Sequence, residues 1–179
     1  MTKYILRILL PVSVVGVGYV IYSQNKIKPS DKNTNNVASA QCGEGSKKEQ
    51  ASSIESGISQ YASSTKDLTG KSTEGGQQID YYSSDGKNRL IKQTFFGEAG
   101  KSEVNYYLDS GKVFHFTRKN YIYELPLSQD SNGKIKSIES NEFFLSADQG
   151  LCSWYSDGQV QENTQAAKDT VSFVLTDFQ

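Results

Sequence analysis

Val104-Asn105-Tyr106-Tyr107-Leu108-Asp109-Ser110-Gly111-Lys112-Val113-Phe114-His115-Phe116-Thr117 decides the fold. On either side of Asp109-Ser110-Gly111, aromatic and branched residues run in short stretches broken by polar ones. A period of two puts successive side chains on opposite faces of a strand, and an Asp/Ser/Gly cluster between two such runs marks a tight hairpin. The same pattern occurs upstream in Ile79-Asp80-Tyr81-Tyr82-Ser83-Ser84-Asp85-Gly86-Lys87. A shorter echo lies downstream in Ser153-Trp154-Tyr155-Ser156-Asp157-Gly158. Further turn signals fall at residues 97–101, Lys119-Asn120, 130–133 and 148–150. Residues 79–160 therefore predict seven or eight short antiparallel strands. The turn glycines Gly86, Gly111, Gly133 and Gly158 recur about every two dozen residues, which one two-strand hairpin requires. A plain meander explains that spacing more simply than a repeat family.

Helical patterning flanks the strands. Ser46-Lys47-Lys48-Glu49 has the S-x-x-E form of a capping box, and Ala51, Ile54, Ile58 and Tyr61 follow at helical spacing. This predicts an amphipathic helix over 47–63, with a polar loop over 71–78. Near the end, Ala167, Val171, Val174, Leu175 and Phe178 predict a second amphipathic helix over 164–178, with 170–175 as an edge strand the alternative. The expected fold class is α+β: a helix, an antiparallel meander of seven or eight strands, and a helix. One face of the sheet is expected to be covered by one or both helices.

Ahead of this domain lies an apolar run over residues 4–22, with Lys3 and Arg7 at its start and Tyr19 and Tyr22 at its end. A charged start followed by such a run is the layout of a signal peptide or signal anchor. Ile21-Tyr22-Ser23 makes a poor cleavage site, and Ala38-Ser39-Ala40 lies too far downstream, so an uncleaved transmembrane anchor is the preferred reading. Its partner is membrane lipid. Lysines on both flanks nearly balance under the positive-inside rule, and the extreme N-terminal position favours an inside amino terminus and an exported domain. Residues 23–45 are rich in Asn, Lys and Ser and read as a disordered tether. The expected division is 1–22 anchor, 23–45 tether and 46–179 a single domain of ordinary size.

Composition narrows the chemistry. The 179 residues carry a net charge of -1, so no electrostatic case exists for nucleic acid. Eleven Tyr and eight Phe favour sheet over helix. Cys42 and Cys152 form no CxxC pair and have no neighbouring His, which argues against zinc. In an oxidising compartment they are candidates for one disulfide; isolated thiols are the alternative. No phosphate loop or cofactor motif occurs, so no cofactor is expected.

His115 is the single histidine, and any nucleophile–base–acid triad needs it. Strict alternation puts Phe114 and Phe116 on one face and His115 with Val113 and Thr117 on the other, half exposed. Glu98, Glu103, Glu124, Glu139 and Glu142 offer carboxylates, but beside turns or strand ends, where solvated charge is the plain reading. Ser128-Gln129-Asp130-Ser131-Asn132-Gly133-Lys134-Ile135 with Glu139 resembles an EF-hand calcium loop over a dozen residues. The resemblance implies Asp130, Asn132 and Glu139 as ligands. Ser128 replaces the acidic first ligand and the flanks read as strands, so an ordinary turn with no metal is expected.

The aromatic residues are the main candidates for binding. Adjacent pairs put one ring on each face of the sheet, and a face not covered by a helix can hold a sugar or a protein. Tyr82, Tyr107, Tyr123, Trp154 and Tyr155 are the candidate binding residues. The expected function is a non-enzymatic, membrane-tethered binding module of inhibitor, immunity or envelope-accessory type. It would face the periplasm or cell exterior and hold a protein or glycan. A carboxylate-based envelope hydrolase and a structural subunit of a membrane complex are the alternatives.

Overall fold

The computed structural model describes residues 42–176. The expected anchor, most of the tether and the last residues of the tail helix lie outside the described residues. Among those described, no helix is long and apolar enough to cross a membrane.

The order is α1 (Glu44–Ser56), a 3-10 turn (Ile58–Gln60), β1 (Ala62–Asp67), β2 (Gly76–Tyr82), β3 (Asn88–Gly97), β4 (Gly100–Asp109), β5 (Lys112–Tyr123), β6 (Ile135–Leu145), β7 (Leu151–Ser156), β8 (Gln159–Gln161) and α2 (Gln165–Thr176). The eight strands form one antiparallel meander in which each strand pairs with its neighbours in sequence. Helix, meander and helix thus make an α+β fold.

Several boundaries differ from the sequence reading. The capping box does not form. Gly43, with φ 62, is the N-cap, and the Ser46 hydroxyl donates to the Gly43 carbonyl at 2.9 Å from inside the first turn. Cys42 and Glu44 are buried, so residues 42–45 belong to the domain rather than to a spacer. Gly57 then ends the helix well before residue 63, its N–H bonding the Ser53 carbonyl at 3.1 Å. Ile58 and Tyr61 still reach the core, but from the 3-10 turn and the extended residue after it. Strand β1 was not foreseen; all six of its residues are exposed, so no apolar alternation marks it. Lys119-Asn120 is no turn and lies inside β5.

Each helix takes its own face of the sheet, rather than both sharing one. Ala51 and Ile54 of α1 pack on Leu90 and Tyr107, with Tyr81 and Phe114 alongside. On the opposite face, Val171 of α2 packs with Ile91, Val104, Leu108, Val113, Phe116, Phe143 and Leu145. Among the described residues, four strand pairs carry a register step, and two of these steps decide which core residues point where. Between β4 and β5 the register steps from Tyr107↔His115 to Leu108↔Val113, leaving Phe114 as the extra residue. Val113 and Phe116 therefore share the α2 side, and Phe114 joins the α1 side. Between β6 and β7 the step from Phe144↔Ser153 to Leu145↔Leu151 leaves Cys152 as the extra residue. Cys152 forms a disulfide with Cys42, Cα to Cα 5.9 Å, which ties the start of α1 to β7.

Candidate functional site

The α1 side of the sheet is built of cross-strand rows, each one residue deep in every strand. The innermost row is Leu90, Tyr107, His115, Phe144 and Ser153. His115 is 3% exposed and stacks between Tyr107, with centroids 5.0 Å apart, and Phe144, at 4.6 Å. It is a core residue, not the half-exposed strand residue that alternation implied, because α1 covers the face on which it lies. The next row is Lys92, Asn105, Thr117, Glu142 and Tyr155.

Polar groups of α1 close over these two rows. Glu142 accepts from His115 Nε2 at 3.0 Å and pairs with Lys48 Nζ at 3.1 Å. Burial alone would raise the Glu142 carboxyl, but the bonds from His115 and Lys48 outweigh it and hold it below the usual carboxylate range. Lys48 Nζ also lies over the Tyr155 ring, 4.9 Å from its centroid. The buried Glu44 accepts from the Ser153 hydroxyl and from Tyr155 OH, the latter at 2.7 Å. Burial first, and then the Glu44 carboxylate, push the Tyr155 phenol up to about 12. Tyr107 OH donates to Glu55 at 3.0 Å, and Lys92 pairs with the same carboxylate at 3.1 Å. Lys47 Nζ donates to the Leu145 carbonyl at 2.6 Å.

His115 Nδ1 is buried and has no hydrogen-bond partner. A triad needs one ring nitrogen on an acid and the other on a nucleophile. Here Nε2 meets Glu142 and Nδ1 meets no hydroxyl, so this arrangement is a stacked, anchored histidine.

Beyond these rows the same face continues without helix cover. The third row is Thr94, Glu103, Lys119 and Ser140; the fourth is Phe96, Lys101, Tyr121 and Ile138. Phe96 is 38% exposed and Ile138 50%. Tyr121 is fixed in place: its OH donates to Glu103 at 2.8 Å, and Lys101 Nζ lies 4.5 Å from its ring centroid. Lys101 Nζ bonds the other Glu103 oxygen at 2.8 Å. Those two bonds outweigh burial and hold the Glu103 carboxyl below its usual range, while Glu103 raises both Tyr121 and Lys101. At the edge of α1 a shallow depression of about 140 Å³ is lined by Thr117, Lys119, Ser140, Glu142 and Tyr155, with Arg118 and Asn141 also at its wall.

The five aromatic candidates do not come together. Tyr107 is buried beneath α1. Tyr155 borders the depression. Trp154 faces α2, stacked on Phe143 with centroids 5.6 Å apart, and its Nε1 donates to the Glu162 carbonyl at 2.9 Å. Tyr82 sits near the β1 edge, 3.3 Å from Ser64 Oγ and Asp80 Oδ2. Tyr123 lies against Gly133 in the loop between β5 and β6. The exposed row Phe96, Lys101, Tyr121 and Ile138 is not among those five candidates. Their alignment rests on the register of four strands, which single-strand alternation does not reveal.

The calcium candidates also separate. Asp130 Oδ1 accepts from Asn132 N at 3.0 Å and Nδ2 at 2.9 Å, a side-chain-braced turn. Glu139 lies along β6, paired with Asn120. No group of three or more His, Cys, Asp or Glu able to hold a metal occurs among the described residues. The other acids point to different partners: Glu98 to Ser128 N, Glu124 to Lys134, Glu103 to Lys101 and Glu142 to His115.

The chain matches no family model, no curated protein and no solved structure.

Proposed function

We propose that the chain is a membrane-tethered, exported binding module that holds a protein or glycan through the uncovered half of its α1-side sheet face. The observation that carries this reading is the row Phe96–Lys101–Tyr121–Ile138, which sets exposed apolar ends around a braced tyrosine and a cation. Aromatic anchors held rigid by their neighbours suit recognition, because little side-chain freedom is lost on contact. Glu103, Lys119 and the depression beside Glu142 supply polar groups around that row. The reading assigns no catalytic step. The Cys42–Cys152 disulfide favours the oxidising side of the membrane for the domain. The apolar run over 4–22 would supply the tether's anchor.

Pull-down with the full-length chain from detergent-solubilised membranes tests it. The wild type should retain a partner protein or glycan. Tyr121→Ala combined with Ile138→Asp should weaken retention about tenfold or more, a loss of about 1.4 kcal/mol. Phe173→Ala, on the exposed side of α2, should leave it unchanged. No partner, or equal capture by all three, overturns the reading.

A further inference from the structure

The opposite face holds a charged group in an apolar setting. Arg118 of β5 lies on the α2 side, opposite Asn141 in the register. Its Nε donates to Asn120 Oδ1 at 3.0 Å, and the Ser102 hydroxyl bonds the same oxygen. Among the described residues no carboxylate makes an ion pair with its remaining nitrogens. Burial pushes the guanidinium below its ordinary pKa, with Tyr106 and Glu139 opposing through space.

Arg118 borders a cleft of about 60 Å³ between the sheet and α2, floored by Phe116, Phe143 and Trp154 and walled by Ala167 and Val174. A water's share of liquid volume is about 30 Å³, so the cleft has room for a group of a few heavy atoms. Its chemistry is that of an anion site. The guanidinium is a planar fork that matches the two oxygens of a carboxylate, and the Asn120 bond fixes its plane. Partial desolvation strengthens its attraction for an opposite charge.

We propose that this cleft binds a single small carboxylate of about acetate size, with Arg118 holding its oxygens and Asn141 beside them. The short alkyl end rests against Phe143 and Trp154. The cleft opens on the α2 side of the sheet, whereas the row Phe96–Lys101–Tyr121–Ile138 lies on the α1 side.

Trp154 is the single tryptophan of the chain and lines the cleft, so its fluorescence reports occupancy. The full-length protein in mild detergent is titrated with sodium acetate, and separately with sodium chloride and sodium phosphate, at constant ionic strength. Acetate should give a saturable change that chloride and phosphate do not. Arg118→Gln should weaken it at least tenfold. Arg118→Lys, which keeps the charge and the packed stem but loses the fork, should weaken it several-fold. An acetate response no larger than that of chloride, or one retained in both variants, overturns the site. A phosphate response equal to that of acetate overturns its assignment to carboxylates.

Discussion

Glu142 joins α1 to the sheet through one carboxylate, shared between Lys48 and the buried His115. Its lowered pKa has a definite consequence for stability. A carboxyl held below its unfolded value contributes fully above that value, about 4.3, and loses its contribution as pH falls through the folded one. Acid should therefore weaken the α1–sheet contact below about pH 4.3. Glu142→Gln should lower stability at neutral pH by about 1–3 kcal/mol and flatten this acid limb. Thermal unfolding of both proteins from about pH 3 to 7 checks it. An unchanged acid limb in the variant would assign the effect to other carboxyls. At this scale the sequence was legible only in part. It showed that His115 sits in a strand, on the face opposite Phe116, but not that a helix buries that face, nor that a bulge moves Phe114 to the same side. A bulge leaves no signature when the residues around it are all aromatic or branched.

At the scale of elements, the close approach of β4 and β5 depends on Gly100. A Cβ there would stand 2.1 Å from the Tyr121 carbonyl oxygen, so the strands would have to part. Gly100→Ala should cost about 1–3 kcal/mol in urea unfolding and shift the amide signals of residues around Tyr121. Gly86→Ala is the contrast: with φ 76 and no atom within 4 Å, it should cost about 1–2 kcal/mol of backbone strain and act only locally. Equal and equally local effects would show that β4 and β5 tolerate separation. The tight turns at Ser110-Gly111 and Asp157-Gly158 were readable because left-handed backbone demands such residues; their φ values are 50, 78, 48 and 77. Strand β1 was unreadable because an exposed polar edge has no buried face to impose a period. The start of α1 was misplaced because a glycine cap competed with a capping box one turn later.

For the whole molecule, the α+β class and the meander follow from local signals, since every strand pairs with its neighbour in sequence. The placement of the two helices on opposite faces does not follow. It depends on contacts between residues far apart, such as Glu44 with Tyr155. The open rows of the α1-side face were hidden for the same reason. The disulfide spans 110 residues. Replacing Cys42 and Cys152 together by Ser should lower stability by about 2–5 kcal/mol. Urea unfolding with and without reductant checks it: reductant should destabilise the wild type and leave the variant alone. Insensitivity of the wild type would show that the α1–sheet contacts alone hold the ends together.

The same long span sets an order of events during synthesis. Chains emerge amino terminus first, at about 5–20 residues per second, and each hairpin can close as soon as its second strand appears. Helix α1 is made before every strand, yet Cys152, Ser153 and Tyr155, which receive its leading end, come almost last. Helix α1, the first of the described elements to be made, therefore waits for β7 before its seat is complete. A chain interrupted before β7 would keep Glu44 and Cys42 exposed on an unclosed face, in the form a quality-control protease or a thiol oxidase would meet.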